Sequence, residues 1–153
     1  MLRRFDWRGN RMKRAERYAW AAVVLAAIPV AMMLVLRGHG MVVRDPAFEL
    51  PQLIILAAAE EIVFRGGLHA GLARRPALRA GVWGISGANA VTSLLFGTAH
   101  LLAHTPLQAA SVIPVSLLFG LAFERSGRLV LPIALHAAFN LALYLVSAVM
   151  RGA

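Results

Sequence analysis

Three short stretches of this chain carry side chains that together can activate water. The first, Ala57-Ala58-Ala59-Glu60-Glu61-Ile62-Val63-Phe64-Arg65, sets two adjacent carboxylates ahead of an arginine, which follows Glu61 by four residues. In the second, Phe96 precedes His100 by four residues, and in the third His136 precedes Asn140 by four. Residues four apart share one helix face. Glu61 with Arg65, Phe96 with His100, and His136 with Asn140 are therefore expected as paired side chains. Neighbouring residues lie about 100° apart around a helix, so Glu60 points away from Glu61 and need not share its arginine. Glu60 is the available carboxylate, and in a partly dry pocket it can take a proton from water while a histidine holds the same water. The second histidine and the Asn140 amide can donate hydrogen bonds to the oxyanion that develops on a scissile carbonyl. Glu61 and Arg65 neutralise each other and read as a structural clasp, while Phe96 offers an apolar wall beside His100. The chemistry that this set of groups supports is hydrolysis.

The elements that must position these groups lie in strongly apolar sequence. Of 153 residues, 59% are hydrophobic and 15% charged, and the mean hydropathy is +0.69. Ordinary soluble domains run near 45–50% apolar and about 25% charged, so a soluble domain is excluded. A helix needs about 20 mostly apolar residues to cross about 30 Å of hydrocarbon. Five segments qualify, at about Tyr18 to Leu36, Phe48 to His69, Gly84 to Leu102, Leu107 to Phe123 and Leu129 to Met150. The expected fold is all-α, a polytopic membrane helical bundle of about five transmembrane helices. It comprises a basic cytoplasmic segment at 1–17, a first transmembrane helix at 18–36 and a core at 48–150. The first span is longer than a signal core of about 7–15 residues, and no small-residue cleavage site precedes the Arg37-Gly38-His39-Gly40 turn, so it is expected to be retained. Polar turns are expected at Arg74-Arg75-Pro76, at His104-Thr105-Pro106 and from Glu124 to Arg128. An ionisable group in hydrocarbon costs about 2.5–3.5 kcal/mol on insertion scales, so each one needs a reason. His69 and His104, near span ends, read as interhelical hydrogen-bonding residues.

A net charge of +9 raises the question of a nucleic-acid partner, and the positions of the charges answer it. Arg3, Arg4, Arg8, Arg11, Lys13, Arg14 and Arg17 precede the first span. With the N-terminus in the cytoplasm they share that side with Arg74, Arg75, Arg79, Arg125 and Arg128, twelve against Arg37, Arg44 and Arg151 outside. This is the positive-inside bias of a membrane protein. The expected partners are the lipid bilayer and a membrane-anchored protein or peptide substrate, with no nucleic acid. The same topology puts Glu60 near mid-membrane, His136 in the cytoplasmic half and His100 close to the outer end of its span, so tilt or re-entry has to bring them together. Cysteine is absent, which excludes disulfides and thiolate metal sites. Fifteen arginines to one lysine, with abundant alanine, point to a high-GC bacterium and its inner membrane.

The three motifs, in this order and each on its own span, resemble the CPBP family of intramembrane proteases, named for CAAX-prenyl proteases and bacteriocin-processing enzymes and also known as the Abi family. Its EExxxR, FxxxH and HxxxN patterns are matched by Glu60 to Arg65, Phe96 to His100 and His136 to Asn140. The resemblance covers about Phe48 to Met150. It implies Glu60 as the general base assisted by His100, with His136 and Asn140 as the oxyanion hole and Glu61 with Arg65 organising the helix. Within that family the segment from Gly84 to Gly127 is similar to small bacterial glutamic-type proteases linked to C-terminal sorting signals, the JDVT-CTERM and myxosortase-like groups. That likeness implies sorting-signal processing, and the bacterial source expected from the composition argues against prenylated CAAX substrates. Two mechanisms use the same side chains. One needs no cofactor. The other places zinc on Glu60, His100 and His136 with a fourth position open for water. The absence of His-Glu-x-x-His, and of any helix with two histidines at ligand spacing, favours the metal-free mechanism. A non-catalytic scaffold or immunity factor and a proton or ion carrier are the readings from other classes.

Overall fold

The structure is a computed structural model that describes residues 46–82 and 84–152. The segment 1–17 and the span 18–36 lie outside the described residues. Helix α1 (Pro46–Glu61) passes directly into a π-helix (Ile62–His69) and then into the short α2 (Ala70–Leu72) and α3 (Pro76–Arg79). Strands β1 (Gly81–Val82) and β2 (Ile85–Ser86) follow, and then α4 (Gly87–His100), α5 (Pro106–Ser126) and α6 (Val130–Gly152). Short connections make α4, α5 and α6 antiparallel neighbours. Helix α5 packs on both α4 and α6, and α1 closes the bundle against α6.

The all-α expectation needs one correction. Gly81 pairs with Ser86 and Val82 with Ile85 in a small antiparallel hairpin, where the third span was expected to begin. Gly84 sits at φ 83°, a left-handed conformation that glycine adopts without steric cost. Helix α4 starts only after Ser86, whose hydroxyl accepts the backbone N–H of Asn89 at 3.0 Å. At 14 residues it is about 21 Å long, short of a full crossing. The fourth span is longer than expected at its far end. Thr105 and Gln108 form a capping box, Pro106 occupies the first turn, and the helix runs to Ser126 before Gly127 turns left-handed at φ 63°. Glu124, expected in a polar turn, is thereby a buried helical residue.

Two described helices are long and apolar enough to cross a membrane, Pro106–Ser126 with mean hydropathy 1.7 and Val130–Val149 with 1.8. The bundle is apolar outside and polar within. Ile54, Ile55, Ile62 and Val63 on the first helical stretch are exposed, as are Leu94, Leu141 and Leu145. Glu61, Arg65, His69, Asn89, Thr92, Ser93 and Ser116 are fully buried. Such a distribution suits a lipid surround, where polar side chains turn inward and backbone groups are satisfied within the protein.

Close approach of α4 and α5 rests on two glycines, as small residues permit between membrane helices. A Cβ on Gly97 would stand 2.5 Å from Ile113 Cγ1 and 3.0 Å from the Ala109 carbonyl oxygen, and one on Gly120 would collide with the Asn89 carboxamide. Gly120→Ala is expected to destabilise the bundle by about 1–3 kcal/mol through overpacking. In thermal melts, adding Asn89→Ala should make the pair less damaging than the two single effects combined, because the second change removes the collision.

Candidate active site

The polar interior is organised from the junction of α1 and the π-helix. Helix α1 ends on the two glutamates, and the following segment is wound with i→i+5 bonding, the Ala70 N–H reaching the Arg65 carbonyl. Wide turns of this kind are frequent at functional sites. They place Glu61, Arg65 and His69 on one fully buried stripe facing α5. Arg65 Nη1 donates to Glu61 Oε1 at 3.1 Å, and Nη2 donates to the backbone oxygen and the hydroxyl of Ser116, both at 2.6 Å. Ser116 Oγ donates in turn to Ser93 Oγ at 3.1 Å. The guanidinium also lies 5.1 Å from the centre of the Phe96 ring and 5.7 Å from that of Phe119. A cation taken from water is thus compensated by a carboxylate, by hydrogen bonds and by two aromatic faces.

His136 joins the last helix to both carboxylates. Its Nδ1 is 2.9 Å from Glu61 Oε1, and its Nε2 is 3.6 Å from Glu60 Oε2. Phe119 stacks on the imidazole with ring centres 4.8 Å apart, and Phe96 approaches it edge-on at 6.0 Å. The two glutamates have different surroundings. Glu61 is fully buried, with Oε1 shared between Arg65 and His136, whereas the Glu60 side chain keeps 24% exposure.

His100 is oriented by its own helix. Its Nδ1 lies 2.9 Å from the Phe96 carbonyl oxygen. A carbonyl only accepts, so Nδ1 carries the hydrogen and Nε2 is the accepting nitrogen of the neutral ring. The imidazole rests against Phe96 at 4.4 Å between ring centres, and Phe64 meets Phe96 edge-on at 4.9 Å. Beyond α4, the His104 N–H donates to the His100 carbonyl at 2.9 Å, which carries the helical path one turn further. The two imidazoles stack with centres 5.6 Å apart. His104 lies beyond the end of α4, in the turn expected of it, so no described helix holds two histidines at ligand spacing.

A cavity of about 740 Å³ opens beside these groups. Glu60, His100, His136 and Asn140 all line it, between apolar walls that include Leu56, Val115, Phe119 and Phe139. His104, Thr105 and Gln108 line its rim. The depth mismatch expected from the topology is bridged by the cavity itself, which extends from Glu60 to the connection between α4 and α5. Phe96 also lines it, while Glu61 and Arg65 stand behind His136 rather than in its wall. Among the described residues no three His, Cys, Asp or Glu side chains converge on a point that could hold a metal ion, although Glu60, His100 and His136 share one cavity.

The sequence reading missed the partners on α4 and α5. Ser116, Gly120 and Glu124 recur every four residues along the buried face of α5, the spacing that could have flagged them. His69 Nε2 lies 3.0 Å from Glu124 Oε1, and the Ser86 hydroxyl donates to the same oxygen. His69 is therefore an interhelical hydrogen-bonding residue, as expected of it. The family model described as type II CAAX prenyl endopeptidase, Rce1-like, matches residues 43–142. That stretch holds all three motifs. No curated protein and no solved structure matches the chain.

Proposed function

The chain belongs to the Rce1-like family of type II CAAX prenyl endopeptidases, and from that premise we propose a glutamate-dependent intramembrane endopeptidase acting on a membrane-anchored protein or peptide. The observation that supports the reading most directly is the shared cavity. Glu60, His100, His136 and Asn140, from three separate helices, line one space, while Glu61 and Arg65 hold His136 from behind.

In this mechanism a water sits between the Glu60 carboxylate and the accepting Nε2 of His100. Glu60 takes one of its protons as the water oxygen attacks the scissile carbonyl carbon. The carbonyl oxygen gains negative charge and receives hydrogen bonds from the Asn140 amide and from His136 Nε2–H. Collapse of this intermediate breaks the C–N bond, and Glu60 returns its proton to the departing amine. His136 donates from Nε2 only when its ring carries both protons. The Glu61 and Glu60 carboxylates at 2.9 and 3.6 Å balance that charge. With Arg65 this cluster then holds two anions and two cations, which limits the cost of charge in lipid.

Five membrane crossings are proposed: the span 18–36, α1 with the π-helix, the short α4 with the turn that prolongs it to His104, α5 and α6, in a bacterial inner membrane with the N-terminus cytoplasmic. Its substrate class is a C-terminal sorting signal. Membranes of cells with and without the chain can be compared by mass spectrometry of protein termini. A membrane-anchored protein truncated near its C-terminus only when the chain is present is the expected result. Identical termini would overturn the reading. Cleavage by purified protein is further expected to persist in a chelator, since no residue of this mechanism requires a metal. Stoichiometric zinc together with loss of cleavage on chelation would replace the glutamate mechanism by the zinc one on Glu60, His100 and His136.

A further inference from the structure

The cavity lies toward one end of the bundle. From Glu60 and His136 its lining continues through Val112 and Gln108 to the 101–105 connection, where Leu102 is 92% exposed. The other end is closed. There Glu124 accepts from Ser86 and pairs with His69, and Leu129 packs so near Gly66 that a Cβ on the glycine would stand 3.2 Å from Leu129 Cδ1.

Basic residues divide between the same two ends. Arg74, Arg75, Arg79, Arg125 and Arg128 lie in or beside the turns of the closed end. Among the described residues only Arg151, at the close of α6, adds a lysine or arginine at the cavity end. Short loops rich in arginine stay in the cytoplasm. We infer that the cavity opens on the non-cytoplasmic face of the membrane, so that the enzyme takes a polypeptide whose scissile segment reaches the outer end of its anchor after translocation. The word enzyme here rests on the proposed protease reading, whereas the direction of opening does not.

The size of the cavity narrows the occupant further. A helix about 10–12 Å wide that rises 1.5 Å per residue would place about five residues in such a volume, and a whole membrane helix would not fit in the 740 Å³. The occupant is a short stretch at the end of a span, its apolar side chains against Leu53, Val112 and Leu143.

The chain has no cysteine, so a single introduced thiol is unique. Leu102→Cys marks the cavity rim, and Ala77→Cys, at an exposed position among the arginines, marks the closed end. A membrane-impermeant maleimide is applied to sealed right-side-out and inverted inner-membrane vesicles, with detergent-opened membranes establishing that both thiols react. Leu102→Cys is expected to label in right-side-out vesicles and lose labelling in inverted ones, with the reverse for Ala77→Cys. The opposite pattern, or both thiols on one face, would overturn the inference. Neither result depends on cleavage. A reversed orientation would leave an active protease facing the cytoplasm, and an inactive protein with the expected labelling would fault the protease reading alone.

Discussion

Glu60→Gln is expected to abolish cleavage while leaving the bundle folded. The substitution keeps the shape of the side chain and removes the one property assigned to it, the uptake of a proton from water. Positioned general bases contribute about 10²–10⁴ in rate, so single-turnover cleavage should fall by at least about that factor. Stability should change little. Glu60 lies outside the Arg65 cluster, its side chain is 24% exposed, and its described link to the interior is the 3.6 Å approach to His136. Melting in detergent close to that of the parent, with cleavage lost, is the expected pair of results. Cleavage at the parental rate would end the role proposed for Glu60. A scaffold in which this glutamate merely clasps helices predicts the opposite pair, altered melting with unaltered biological effect.

The contrast with Glu61 shows what could be read from the sequence and what could not. The i,i+4 rule places Glu61 beside Arg65, and the two meet at 3.1 Å. It also separates Glu60 from that pair, and Glu60 reaches the cavity. Local spacing carries such relations because one helix contains them. The bond from His136 to Glu61 joins residues 75 apart in the chain, and no periodicity encodes it. The π-helix was equally hidden, because spacing rules assume about 3.6 residues per turn. Glu124 was misplaced because Arg125-Ser126-Gly127 beside it has turn composition, although its burial is set by His69 and Ser86 from elsewhere in the fold. The second strand of the hairpin, Ile85–Ser86, was absorbed into a span because Gly84-Ile85-Ser86-Gly87 runs without charge into the helix that follows. Charge gives an expected direction for the spans. It says nothing of the cavity's reach, which depends on how the 101–105 connection comes to line one space with Glu60 and His136.

The second large effect belongs to the buried pair. Arg65→Met removes the cation but leaves Glu61 fully buried, with Ser116 deprived of its donor. Breaking one side of a buried ion pair costs about 3–5 kcal/mol, a large share of a total stability of about 5–15 kcal/mol. The variant should melt far below the parent or fail to accumulate, and Glu61→Leu should do the same by stranding the guanidinium. The double variant Glu61→Leu/Arg65→Met separates the two functions of the pair. Apolar residues of similar volume can replace a buried ion pair at little cost or with a gain, so melting should return toward the parent. Cleavage should not return with it. His136 Nδ1 would have lost the carboxylate that it meets at 2.9 Å, and with it both the fixed orientation of the ring and half of the negative charge beside it. A double variant that folds and cleaves at the parental rate would reduce Glu61 and Arg65 to a clasp with no part in positioning. A folded but inactive one would mean that the pair holds His136 in place for the oxyanion, so that the energy spent on burying two charges is recovered in the geometry of a third residue.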